Sequence, residues 1–300
     1  MRYCDLRPAI AAYARGDNVT ETLRGLLGAA ANTPEIIEIA YDLQAGTYVD
    51  AVRADEAAWR ARMEEMAGIL KPVAAGATTI LEAGTGEMTS LVGVANACYR
   101  EDATAYACDL SWSRLEKGRS FVRDRLRPSL AERLEPFVAD LFRLPFQDGA
   151  IDVVWTSHAL EPNGGREREA VRELLRVARR HVVLFEPSYE TNTAEGRARM
   201  ERLGYVRGLA GAIEAEGGII EGRVALRHVA NPLNPTVALI VRPPSRDAAA
   251  AGTWSCPSTR LPMERRPACF WSCQSMLAYP ILGGIPILRA DAAILATAMA

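Results

Sequence analysis

The chain has 300 residues, 49% of them hydrophobic and 24% charged, with a formal net charge of −2. That length can bury a large core and allows one large domain or two smaller ones, while the near-balance of charge excludes bulk attraction to nucleic acid. No apolar run approaches the ~18–20 residues that span a bilayer, and the first residues mix charge and polarity unlike a secretory leader. Six thinly spread cysteines fit a reducing cytoplasm better than a disulfide framework.

The first 70 residues read as mostly helical. Within Glu35–Asp55, the residues Tyr41, Gln44, Tyr48 and Val52 recur at spacings near three and four, which aligns them on one helical face unless Gly46 breaks the helix. Next comes Thr79-Thr-Ile-Leu-Glu-Ala-Gly-Thr-Gly-Glu-Met88, an apolar run rising into Glu82 and a glycine-rich turn, with a helix expected over Ser90–Tyr99. Gly84 and Gly86 let backbone N–H groups approach a ligand closely. A nicotinamide-type G-x-G-x-x-G turn would carry a third glycine where Thr89 stands.

Thr104–Asp109 is a second short strand ending in a carboxylate, placed to reach the ribose hydroxyls of a nucleoside. A third strand, Leu134–Val138, leads into Ala139-Asp140-Leu141. A proline-containing loop from Leu144 then feeds a fourth strand, Ile151–Trp155. Arg166–Arg179 has the pattern of an amphipathic helix, and His181–Glu186 that of a fifth strand stopped by Pro187. A helical region over Thr193–Ala215 precedes two strands, Val224–Val229 and Val237–Val241. Their short link with two prolines suits an antiparallel hairpin. The expected fold is α/β: a doubly wound, seven-stranded Rossmann-like sheet of five parallel strands plus a terminal antiparallel hairpin.

Four signals in this order resemble class I S-adenosylmethionine-dependent methyltransferases. They are E-x-G-x-G at Glu82–Gly86, the acid Asp109, the Ala139-Asp140 pair, and L-P-F-x-D-x-x-x-D-V-V over Leu144–Val154. The match covers residues 75–245. It implies that Gly84 and Gly86 pass under the methionine part of S-adenosylmethionine, with Glu82 supporting the loop. It also implies that Asp109 holds the ribose beside Leu110, and that Asp140 accepts from the adenine amino group with Leu141 against the ring. The sequence departs at Met88, where many relatives have a third glycine. For the N-terminal helices the resemblance implies a lid, with Tyr41, Gln44 and Tyr48 facing cofactor or substrate. The plain alternative is a packing face against the sheet.

Methyl transfer is an in-line displacement that mainly needs the acceptor positioned and water excluded. In open α/β sheets the site lies beyond the carboxyl ends of the strands. The loops Thr156–Gly165 and Glu186–Tyr189 are therefore expected to face the transferred group, and Asn163 and Tyr189 to lie near the acceptor. His158, one of three histidines, is the first choice of general base. Glu161 and Glu186 follow as base or substrate ligands. Helix capping and loop packing are the structural alternatives for all three. Their residue types would suit a metal, but sequence supplies no geometry and none is assigned.

Residues 244–254, starting within Pro243-Pro-Ser-Arg and running into small residues, read as a linker. Beyond them, Cys256-Pro-Ser-Thr, Cys269-Phe-Trp-Ser-Cys273 and Tyr279-Pro-Ile-Leu-Gly-Gly-Ile-Pro resemble the small zinc-ribbon-like activators of methyltransferases. Thr259 stands where a second cysteine belongs, so three ligands remain of the four that structural zinc takes, and no zinc is expected. The module, an α+β unit over 255–300, would cover a sheet edge, contact a partner or form a homodimer contact. The domains are thus a helical lid at 1–70, a cofactor-binding core at 71–243, the linker, and the module.

The expected activity is methyl transfer to O or N of a small metabolite in the cytoplasm, with no membrane or nucleic-acid partner. An RNA or protein methyltransferase with a built-in activator module is one alternative. A non-catalytic scaffold that kept the sheet is another.

Overall fold

The structure is a computed structural model and describes residues 5–30, 32–245 and 249–299. Five helices open it: α1 (Arg7–Ala14), α2 (Val19–Leu27), α3 (Pro34–Leu43), α4 (Thr47–Ala54) and α5 (Glu56–Ala74). Three begin at side-chain caps, Asn18 accepting from the Glu21 amide, Thr33 from Ile36 and Asp55 from Ala58. Each such cap satisfies an amide that the first helical turn leaves without a partner. The helical pattern of Glu35–Asp55 breaks between α3 and α4, where Gly46 takes a left-handed φ of 110°.

The sheet follows with β1 (Thr79–Ala83), α6 (Thr89–Cys98), β2 (Thr104–Asp109), α7 (Trp112–Arg125), the short α8 (Pro128–Ala131), β3 (Leu134–Val138) and β4 (Ile151–Ser157). Then come α9 (Glu167–Val177), β5 (Ala178–Pro187), α10 (Ala194–Leu203), α11 (Leu209–Ala215), β6 (Ile219–Ala225) and β7 (Thr236–Arg242). The strand order is β3-β2-β1-β4-β5-β7-β6. Strands β1 to β5 pair in parallel, and β7 runs antiparallel to both β5 and β6. This is the mixed, doubly wound sheet expected from the sequence.

Two expectations shift. The helical region after the fifth strand divides into α10 and α11 around Gly204–Gly208, both of which take positive φ. The sixth strand ends at Ala225, earlier than the apolar run over 224–229 suggests. The Glu65 carboxylate accepts from the Arg227 and His228 amides at 2.9 Å each, pulling that segment off the strand and over the sheet's end.

Alternation along the strands splits the core. Leu81, Val154 and Leu184 face one side with α9 and α11, and Ile80, Val153 and Val183 face the other with α5, α6 and α7. No helix joins β3 to β4 across residues 139–150, although a parallel crossover usually supplies one. The C-terminal segment fills that place. It forms β8 (Glu264–Arg265), β9 (Cys269–Ser272), β10 (Leu277–Leu282), β11 (Ile285–Pro286) and β12 (Ile294–Leu295), and its Cys256, Phe270, Tyr279 and Leu288 enter the same core as Leu81. Trp254 stacks on Phe146 with centroids 4.5 Å apart and meets Tyr106 and Phe137 edge-on. Beyond β11, Ile287 bridges Val138 in parallel, and the Leu288 amide donates to the Val138 carbonyl at 2.8 Å, so the exposed edge at β3 is covered. Of the expected linker, residues 246–248 lie outside the described residues. Among the described residues no helix is long and apolar enough to cross a membrane.

Candidate active site

The turn after β1 is built to bring backbone close to a ligand. The Gly84 and Thr85 amides both donate to the Cys108 carbonyl, at 2.8 and 2.9 Å, which folds the turn back against β2. Gly84 and Gly86 have φ of 76° and 58°, where L side chains are strained. A Cβ at Gly84 would lie 2.2 Å from the Ala159 Cβ, and one at Gly86 would lie 2.6 Å from the Arg114 guanidinium. Glu82 sits buried beneath, accepting from the Thr85 hydroxyl at 2.5 Å; burial raises its carboxyl well above the usual range. Met88, the residue at the family's glycine position, is fully buried and takes a left-handed φ of 57° as it starts α6.

Asp109 ends β2 and accepts from the Gly86 amide at 2.8 Å and the Ser111 amide at 2.9 Å. One carboxylate therefore ties the glycine turn to the following loop. Asp140 accepts from the Phe142 amide at 3.0 Å, and burial raises its carboxyl above the usual value. Leu110 and Leu141 lie beside these acids on the same cavity wall.

The N-terminal helices close over this turn through specific polar contacts. Helix α4 has no cap of its own. Glu87, within the glycine turn, supplies one from across the fold: it accepts from the Gly46, Tyr48 and Val49 amides at 2.9, 3.3 and 2.8 Å. Asp42 of α3 accepts from the Ser111 and Ser113 hydroxyls at 2.6 and 3.0 Å. Between these attachments lies Arg114, nearly fully buried, its guanidinium 4.4 Å from the Tyr48 ring centroid and 5.2 Å from that of Tyr41. Burial opposes the Arg114 charge, but Asp109 and the neighbouring Tyr48, Tyr41 and Glu87 outweigh it and hold the group firmly protonated.

The cavity, partly open to solvent, measures about 860 Å³. Its floor is the glycine turn; its far wall is the loop after β4. There His158 takes a left-handed φ of 54°, and its Nδ1 pairs with the Glu161 carboxylate. Because a carboxylate only accepts, Nδ1 carries the proton, which leaves Nε2 to accept from the Thr236 hydroxyl at 2.7 Å. Asn234 donates to Glu161 at 3.0 Å. Burial would raise the Glu161 carboxyl, but the His158 bond, with those of Tyr205 and Asn234, brings it below its ordinary value. Glu186 lies beneath the loop, accepting from the Thr156 hydroxyl and the Ala159, Leu160 and Glu161 amides at 2.7 to 3.2 Å. Burial pushes it up to about 7, with the neighbouring His158 and these bonds opposing.

The cavity brings together the residues singled out from sequence on both sides: Glu82, Gly84, Gly86, Asp109, Leu110, Asp140 and Leu141 with Tyr41, Tyr48, His158, Glu161 and Asn163. Three others lie outside its lining. Glu186 faces the peptide loop, Gln44 ends α3, and the Tyr189 hydroxyl donates to Glu201 at 2.5 Å on the surface. Sequence reasoning passed over Glu87, Arg62, Arg114, Arg199 and Asn234. No motif or spacing in the sequence marks them. For the C-terminal cysteines, Cys256 Sγ lies 3.1 Å from the Tyr279 hydroxyl, and no group of three metal-ligating side chains occurs among the described residues. A zinc ion does not fit that segment.

Residues 81–185 match the family model of a methyltransferase domain. The chain contains a methyltransferase domain. S-adenosylmethionine fits the site on the chain's own features, a glycine cradle with no room for a Cβ and a buried guanidinium whose Nε makes no hydrogen bond, with Glu87 4.0 Å away. Among solved structures, an O-methyltransferase family protein from Burkholderia thailandensis is similar at 18% identity, covering 71% of this chain and 60% of its own, with a TM-score of 0.50. Geranyl diphosphate C-methyltransferase from Streptomyces coelicolor aligns at 13% identity over 59% of this chain and 74% of its own, TM-score 0.46. The [4+2]-cyclase SpnF aligns at 15% over 61% and 81%, TM-score 0.48. These likenesses concern the fold of the methyltransferase. No curated protein sequence matches.

Proposed function

We propose that this methyltransferase acts on O or N of a small metabolite held within the cavity. One observation carries the reading: the glycine cradle and the His158–Glu161 pair line the same 860 Å³ space beneath α3, α4 and α5. A cavity of that size has room for a cofactor and a small acceptor together.

The assignments follow from chemistry. S-adenosylmethionine, when bound, supplies an electrophilic methyl group on a sulfonium. Gly84 and Gly86 allow its close approach, and Glu82 with Thr85 keeps the turn in shape. Asp109 accepts from two amides and retains lone pairs for ribose hydroxyls. Asp140 suits the adenine amino group, with Leu110 and Leu141 against the ring. Arg114, beside Gly86, suits the methionine carboxylate. Where the acceptor must lose a proton, the His158–Glu161 pair takes it. Glu186 positions that pair by fixing three consecutive loop amides. The helices over 1–70 act as the lid, with Tyr41, Tyr48 and Asn163 near the acceptor.

The test is calorimetric titration with S-adenosylmethionine and S-adenosylhomocysteine. Micromolar binding, about 8 kcal/mol, is expected for the wild type. Asp109→Ala should weaken it at least tenfold, because the cradle amide of Gly86 loses its anchor together with the ribose ligand. Absence of binding to both ligands ends this reading and favours a scaffold.

A further inference from the structure

Resting on the methyltransferase reading above, we infer that the acceptor carries an oxyanion, a carboxylate or a phosphate, and that Arg62 and Arg199 hold it. Both arginines line the cavity. Arg62, on α5, makes no hydrogen bond or ion pair among the described residues, and its Nε is buried without a partner. Arg199, on α10, has its guanidinium carbon 5.3 Å from the Tyr205 ring centroid and a buried Nη1 without a partner. Trp59 lies one turn before Arg62 on the same face of α5, lines the same cavity, and leaves its indole Nε1 equally unsatisfied. Three side chains with a buried, unpartnered donor thus stand in the wall of one cavity, and two of them carry full positive charges.

Such groups are rarely left alone, because a desolvated charge or donor without an acceptor is costly. The chain does not satisfy them from its own carboxylates. Asp55 caps α5, Asp109 and Asp140 hold backbone amides, and Glu161 is engaged by His158 and Asn234. Glu161 acts on Arg62 only at longer range, and burial lowers the Arg62 pKa below its ordinary value despite it. Arg227, also on the cavity wall, is already paired with Glu65 at 3.3 Å. The cofactor does not satisfy them either. It brings one carboxylate, which Arg114 at the cradle meets, and its ammonium and sulfonium add positive charge. The remaining negative charge has to come from the acceptor.

Location agrees with this assignment. Arg62 is near enough to Tyr48 and Glu161 to interact with them electrostatically, and Arg199 lies against the ring of Tyr205, which in turn neighbours Glu161. Both guanidiniums therefore gather at the His158–Glu161 end, away from the adenine wall at Asp140. An oxyanion clamped there would hold a nearby O or N of the same molecule against the proton-accepting pair.

The experiment titrates protein saturated with S-adenosylhomocysteine, at constant ionic strength, with inorganic phosphate, pyrophosphate, acetate and citrate. Binding of phosphate and pyrophosphate identifies a phosphate acceptor; binding of acetate and citrate identifies a carboxylate. In Arg62→Gln and in Arg199→Gln that binding should weaken at least tenfold while S-adenosylhomocysteine binds as in wild type. Without anion, Arg62→Gln should melt at or above the wild-type temperature, since it removes an uncompensated charge; an arginine kept for structure would lower it. If S-adenosylhomocysteine binds but none of the four anions does, or if both variants bind them as wild type does, the inference is overturned and the methyltransferase reading stands. If S-adenosylhomocysteine itself fails to bind, the parent reading falls and this one with it.

Discussion

Single residues in this site are held by burial as much as by bonding, and Glu186 shows the consequence most directly. Its carboxyl is raised from 4.5 to about 7, with burial the largest cause. The folded state therefore keeps a proton that the unfolded chain releases between those values. Its contribution to stability is fully present below pH 4.5 and is lost as pH rises through 7. Urea unfolding at pH 5 and pH 7.5 should show a smaller decline for Glu186→Gln than for wild type. Met88 poses the opposite balance. Glycine there would relieve a left-handed φ worth roughly 1 kcal/mol but remove a fully buried side chain worth about 2 to 5 kcal/mol. Met88→Gly should be net destabilising by thermal melting. The motif residues Gly84, Gly86 and Asp109 were legible because their chemistry is local: a tight turn and an acid at a strand end. His158 and Glu161 were legible as residue types, but their pairing with each other, Thr236 and Asn234 was not. Two segments 73 to 78 positions apart make it, and no spacing records that.

Among the elements, strands were read well and the lid only in outline. Strand β3 occupies the predicted span, and β1 and β2 match their apolar runs, because strands buried on both faces read as continuous hydrophobic stretches. The N-terminal helices could be drawn from their period, yet what fixes them is Glu87, an acid that looks in sequence like any turn residue. Its carboxylate replaces the missing cap of α4 from 38 to 41 residues away. Glu87→Gln keeps the volume but exchanges one acceptor oxygen for a donor, orphaning one of three amides at a cost of about 1–2 kcal/mol. Hydrogen exchange at Gly46, Tyr48 and Val49 should then quicken roughly 5- to 30-fold. Exchange in β1 and β4 should stay as it was. Cofactor binding should weaken with the lid, because the same carboxylate connects the helix that closes the cavity to the turn that forms its floor.

At the scale of the whole molecule, the C-terminal segment is structural infill for a helix that the sheet lacks. The activator-like motif drew attention to its edge-covering strand, but nothing in the sequence indicated that residues 139–150 would cross without a helix and leave a face open. Trp254 closes that face against Phe146, Phe137, Tyr106 and Phe270. Trp254→Ala should cost about 3 kcal/mol, read by denaturant midpoint, a loss expected of a core position rather than of an appended module. The segment also reaches the lid: Arg289, just beyond the β3 edge contact, pairs with Glu38 of α3. Those two residues stand 251 positions apart. At ribosomal rates of ~5–20 residues per second, on the order of ten to fifty seconds separate their synthesis. Through that interval α3 waits without its partner, and the nascent chain carries a glycine cradle whose cover is not yet fastened. Assembly of the reaction chamber is thus timed by translation, and waits until the segment around Arg289 has been made.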